Sequence, residues 1–152
     1  MNLQVDWSRA ISLRYSSVTD TFGVALEKVS KDAGVYIFGR RYGTRFEALY
    51  IGKADRIRSR VKGQLNNLRL MHHVRDAKSG RRILLAGTFV PRPGQRKERC
   101  LPLIERALIR YFLSEGHDLV NKSGTRLRQH EILSSGKHPK RYFARTIFLD
   151  SK

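Results

Sequence analysis

The chain has 152 residues and 17.6 kDa, with 31 Lys and Arg against 13 Asp and Glu, a formal net charge of +18. A hydrophobic fraction of 40% with seven Phe, six Tyr and one Trp is the composition of a globular fold, and the length suits one domain over residues 1–152. A single cysteine, Cys100, excludes an internal disulfide framework and a multi-cysteine zinc site, and no apolar run approaches the roughly 20 residues of a membrane helix.

Met1 to Asp6 has no basic region followed by an apolar stretch, so no secretory signal is expected, and the expected address is the cytoplasm. Residues 1–31 read as an N-terminal extension. In it Phe22, Leu26 and Val29 recur at helical spacing, predicting a short helix over Asp20–Lys31 with Asp20 as its cap. Val35–Phe38 and Ala48–Ile51 are compact β-rich runs joined by the basic turn Arg40–Arg45, which reads as an antiparallel hairpin. Ile57, Val61, Leu65 and Leu68 place one helix over Asp55–Leu70, with Arg56, Arg60 and Lys62 elsewhere around it. Ile83–Val90 is a third strand, stopped by Pro91 and Pro93. A basic loop over 91–99 follows, containing Arg96 and Lys97. The next helix is expected to open at Pro102 and to present Leu103, Ala107, Leu108 and Phe112 as its apolar face. Residues 122–152 form a basic extension with a last strand over Tyr142–Leu149. The order strand, strand, helix, strand, helix is an α+β pattern.

The charge is uneven. Residues 39–99 carry seventeen Lys and Arg against four acids, a net of +13. Across the chain there are 21 Arg and ten Lys, a bias toward planar, bidentate phosphate contacts. A polyanion is the natural partner, and nucleic acid fits better than an anionic membrane because no long helix carries one basic face. Arg40, Arg41 and Arg45 in the hairpin, Arg56 and Lys62 on the helix, and Arg96 and Lys97 in the loop are the candidate DNA contacts.

Several polar residues stand at element ends: Gly34–Val35–Tyr36, Tyr50–Ile51–Gly52–Lys53, Arg60 eight positions after Gly52, Glu105 within Glu105–Arg106–Ala107–Leu108–Ile109, and Asn121. This set, in this order, resembles the GIY-YIG nuclease superfamily over residues 32–121. The resemblance implies a small three-stranded antiparallel sheet flanked by helices, and metal-dependent hydrolysis of a DNA phosphodiester. It also implies roles: Glu105 holds one Mg2+ (or Mn2+) per active site, Arg60 clamps a phosphate oxygen, and Tyr36 orients or deprotonates water. Lys53 would lower the Tyr36 pKa or take its proton, Tyr50 would bind phosphate or water, and Asn121 would fix Glu105. A lone carboxylate with waters and phosphate suits magnesium. The chain departs from the family pattern in the thirteen residues between Tyr36 and Tyr50, and in the long interval from Glu105 to Asn121. It departs again at Gln64, four residues after Arg60, where many members carry His or Tyr. An amide is a poor general base, which shifts acid–base work to Tyr36 and Lys53.

The resulting expectation is a stand-alone endonuclease of the restriction type acting at sites in double-stranded DNA. Two copies would serve to cut both strands, so a homodimer is compatible with it. The alternatives are a structure-specific repair nuclease and a basic binding module without catalysis. Glu98 and Glu115 read as solvent-paired acids, His72 and His73 as surface residues at a helix end, and Cys100 as a small buried apolar group.

Overall fold

A computed structural model describes residues 1–120, 128–137, 141–142 and 144–151, with the backbone alone at 128–132 and 148–151. The chain divides into two compact units, Met1–Asn121 and Lys122–Lys152.

In the first unit the hairpin runs are long strands. β5 (Gly34–Tyr42) pairs antiparallel with β6 (Arg45–Ala54) and with β7 (Arg81–Val90). The expected basic turn at Arg40–Arg45 is therefore mostly strand, closed by a two-residue tip at Gly43–Thr44. The expected three strands sit together, but the sheet has five. β1 (Gln4–Trp7) and β2 (Ile11–Ser12) both pair with β7, at different stretches of it, in the order β1-β7-β5-β6 with β2 off that path. The helix expected over Asp20–Lys31 does not form. That segment is β4 (Thr21–Gly23), paired with β3 (Arg14–Ser16), followed by one 3-10 turn at Leu26–Lys28. Phe22 is buried against Tyr15 across the pair, their rings 5.2 Å apart, so tertiary packing decided what helical spacing had suggested. Asp20 caps nothing; it sits in the left-handed region at φ 50° and binds Arg75.

β5 is the central strand, buried from Gly34 to Arg40, and its alternation sorts the helices. Tyr36 and Phe38 face α1 (Ile57–Gln64) and α2 (Leu68–Asp76), packing with Ile57, Val61, Leu70 and Val74. Val35 and Ile37 face α3 (Lys97–Ser114), packing with Cys100, Leu101, Ile104 and Ile109. The single helix expected over Asp55–Leu70 is broken at Asn66–Asn67, where the Asn67 side chain accepts the Leu70 N–H at 3.2 Å and caps α2. His72 and His73 consequently lie inside α2, and Leu68 is exposed. α3 opens at Lys97, not at Pro102, which lies inside the helix. This moves 97–99 out of the loop and puts Glu105 in the third turn of α3. It also rotates the apolar face, so that Leu103 and Ala107 are exposed.

The second unit contains a hairpin of β8 (Arg128–Leu133) and β9 (Thr146–Ser151). Its last strand begins later than Tyr142, which is exposed in a turn. Among the described residues no helix is long and apolar enough to cross a membrane.

Candidate functional site

Tyr36 pairs directly across the sheet with Gly52, and its phenol lies over that glycine. A Cβ at residue 52 would stand 2.4 Å from the Tyr36 hydroxyl, so no side chain fits there. Tyr50 lies on the same face, one pleat along, its ring stacked at 6.0 Å from that of Tyr36. Gln64, at the end of α1, joins the two phenols: its amide nitrogen donates to the Tyr36 hydroxyl at 2.9 Å and to the Tyr50 hydroxyl at 3.0 Å. Asn67 donates to the Gln64 carbonyl oxygen at 3.2 Å and so orients the amide. Burial pushes the Tyr36 phenol well above the ordinary tyrosine range, opposed by the Gln64 hydrogen bond and by the Arg60 charge.

The opposite face of the same strands carries Glu105. β6 is the outer strand of its sheet path, and its free edge is occupied along its length. Ala48 donates its N–H to His117 Nδ1 at 2.8 Å and Val120 donates to the Leu49 carbonyl at 2.9 Å, while the Lys53 N–H lies near enough to the Glu105 carboxylate to favour its charged form. Glu105 is half-buried. Desolvation raises its pKa above the usual carboxylate value, countered by the Lys53 charge, the Lys53 N–H and the Arg60 charge. A carboxylate held partly desolvated among cations is the arrangement expected of a working site. One turn earlier along α3, at Leu101 and Pro102, opens a cleft of about 220 Å³ that is also bordered by Lys53, Asp55, Arg60, Lys97 and Glu98 but not by Glu105 itself.

The structure thus groups Lys53, Arg60 and Glu105 near one cleft, and Tyr36 with Tyr50 behind the sheet edge. Arg60, exposed on α1, acts electrostatically on both Tyr36 and Glu105. The expected partnership of Lys53 with Tyr36 is corrected. Lys53 stands opposite Val35 in the register, so alternation turns the two side chains to different faces. The lowered Tyr36 pKa expected from it is corrected as well, since burial shifts the phenol upward. Asn121 lies outside the described residues.

Among the expected DNA contacts, Arg40 is not available. It is 5% exposed, binds Glu47 at 3.0 Å and the Ser79 carbonyl at 2.6 Å, and lies over the Tyr42 ring. Arg41 and Arg45 are exposed at the hairpin tip, but six residues of strand from Tyr36 to Tyr42 place that tip roughly 20 Å away. Arg56, Lys62, Arg96 and Lys97 are exposed, and Lys97 approaches Asp55 at 3.8 Å. Other arginines of 39–99 are structural. Arg58 binds the carbonyls of Val29 and Glu27, and Arg75 pairs with Asp20 and Asp76. Arg82 binds five carbonyls around the end of α2.

No group of three or more His, Cys, Asp or Glu that could enclose a metal exists among the described residues. Glu105 still fits a magnesium ion that keeps most of its waters, because one carboxylate and a substrate phosphate suffice. Two things were missed from sequence. Gln64 counted only as a poor base, and its role as the bridge between phenols lies in which way α1 turns it. Asp55 reads in the sequence only as a helix start and Glu98 only as a solvent-paired acid, yet both border the cleft. Comparison with known protein families, with curated proteins and with solved structures finds no match.

Proposed function

We propose that the chain is a metal-dependent DNA endonuclease of the GIY-YIG type, cutting double-stranded DNA at sites. The observation that carries the reading is Arg60, which stands exposed on α1 and lines the cleft with Lys53, with its charge bearing on both the buried phenol and the half-buried Glu105. A guanidinium there can hold a non-bridging phosphate oxygen bidentately while the scissile bond lies toward the carboxylate. The Glu105 carboxylate, near the Lys53 N–H, would hold a single Mg2+ or Mn2+. Such an ion supplies Lewis-acid charge and stabilises the leaving oxygen. The Lys53 ammonium offsets negative charge beside Glu105 and is placed for a flanking phosphate. Tyr36, protonated in its buried setting, does not remove a proton and instead holds Gln64 in place beside Arg60. Tyr50 shares that task.

A second reading, a basic module that binds without cutting, draws on the same buried, proton-holding Tyr36, which leaves the water without an evident base among the tyrosines. Plasmid DNA incubated with the protein and Mg2+ or Mn2+, against EDTA and Glu105→Ala controls, separates the two. Discrete, metal-dependent fragments are expected for a site-specific enzyme, and a smear for a structure-directed one. Intact DNA across salts and substrates selects the binding module.

A further inference from the structure

A second groove, of about 670 Å³, adjoins the cleft and shares Ala54, Asp55 and Arg60 with it. Its floor is one face of α1: Arg56, Ser59, Arg60 and Gly63 recur at intervals of three and four, and Asn66 and Asn67 continue the line into the bend before α2. The opposite face of α1 is the buried one, with Ile57 and Val61. Gly63 has no internal explanation. It sits inside a helix, where glycine costs stability against alanine. It is not among the glycines with positive φ, so it is not the left-handed residue that ends a helix. A Cβ placed on it meets nothing within 4 Å, so no neighbour in the protein requires its smallness. What remains is the groove itself, where only a ligand approaching from outside would meet that atom.

The chemistry of the walls identifies the ligand. Two exposed guanidiniums one turn apart, a serine hydroxyl, the Gln64 amide and two asparagine amides, with the single carboxylate of Asp55 at one end, surround a bare stretch of helix backbone. Charge for phosphates, amides for polar edges and an absent side chain for close approach suit an extended sugar–phosphate strand. We propose that this groove is a second binding track, which carries the nucleic-acid strand flanking the scissile phosphate across α1, with its backbone against Gly63. Arg60 lines both the cleft and the track. The inference rests on the proposed nuclease reading and extends it to where the substrate lies.

The test is equilibrium binding of a fluorescein-labelled duplex oligonucleotide in EDTA, so that cutting does not intervene. Gly63→Leu places a side chain where the strand would pass and should weaken binding at least tenfold. Its melting temperature should not fall, since leucine favours the helix and the space around residue 63 is open. Gly63→Ala should weaken binding by a smaller factor. Arg56→Ala should lower affinity and reduce the slope of log affinity against log salt by about one. Wild-type affinity in both Gly63 variants, with an unchanged salt slope in Arg56→Ala, overturns the track even if the enzyme cuts. Failure of the wild-type protein to bind the duplex at all overturns the nuclease reading beneath it.

Discussion

At the scale of single residues, the site is organised by one strand alternation and one amide. Tyr36 faces α1, Lys53 faces α3, and Gln64 holds the phenols in place. The raised Tyr36 pKa has a measurable sign. A phenol that ionises later in the folded state contributes stability below about pH 10, its unfolded value, and loses it as pH rises further. An absorbance titration of tyrosinate should therefore show no difference between wild type and Tyr36→Phe near pH 10, with the missing tyrosine appearing only as the protein unfolds. A Tyr36 signal below pH 9 would contradict the burial argument. Residue identity alone carried much of this site: Tyr36, Tyr50, Arg60 and Glu105 are legible from their order and spacing. What sequence did not carry is facing. Lys53 follows Gly52 directly, and only the β5–β6 register shows that its side chain leaves Tyr36 and joins Glu105.

At the scale of elements, the strands β5, β6 and β7 were legible because each is an apolar run closed by glycine or proline. The helices were legible in kind and less so in extent. Asn66–Asn67 cuts one expected helix in two because an asparagine amide that caps α2 competes with continued helix. Pro102 reads as a helix start, yet α3 accommodates it in its second turn, where the Glu98 carbonyl gives up its partner. The N-terminal strands were illegible, since four short segments of two to four residues carry no periodicity until partners are present, β7 for β1 and β2, and β3 and β4 for each other. Arg82 shows the same dependence on context. Counted as surface charge in the sequence, it spends its donors on the carbonyls of Val74, Arg75, Ala77, Lys78 and Gly80. Arg82→Lys keeps the charge and loses the fork, and should cost about 2 kcal/mol in chemical denaturation. A cost near zero would show that those carbonyls are as well served by water.

At the scale of the whole molecule, the net charge of +18 points to a polyanion but overstates the surface that meets it. Arg40, Arg58, Arg75 and Arg82 are tied into the fold, so the free cations of 39–99 are fewer than the seventeen counted there. The slope of log affinity against log salt for duplex DNA should then correspond to about six to eight phosphates, near −5 to −7. A slope shallower than about −2 would remove nucleic acid as the main partner. The same bookkeeping leaves Glu105 as the acid whose setting is hardest to explain structurally: a half-buried carboxylate kept among cations would repel the polyanion that the proposed reading assigns to this surface. The most direct test compares metal-dependent cleavage rate with duplex affinity for wild type and Glu105→Ala. The account predicts a rate lower by about a thousandfold, the scale lost with a principal transition-state contact, while affinity in EDTA stays equal or rises. Equal cleavage by both proteins, or cleavage by wild type that survives EDTA, would contradict it.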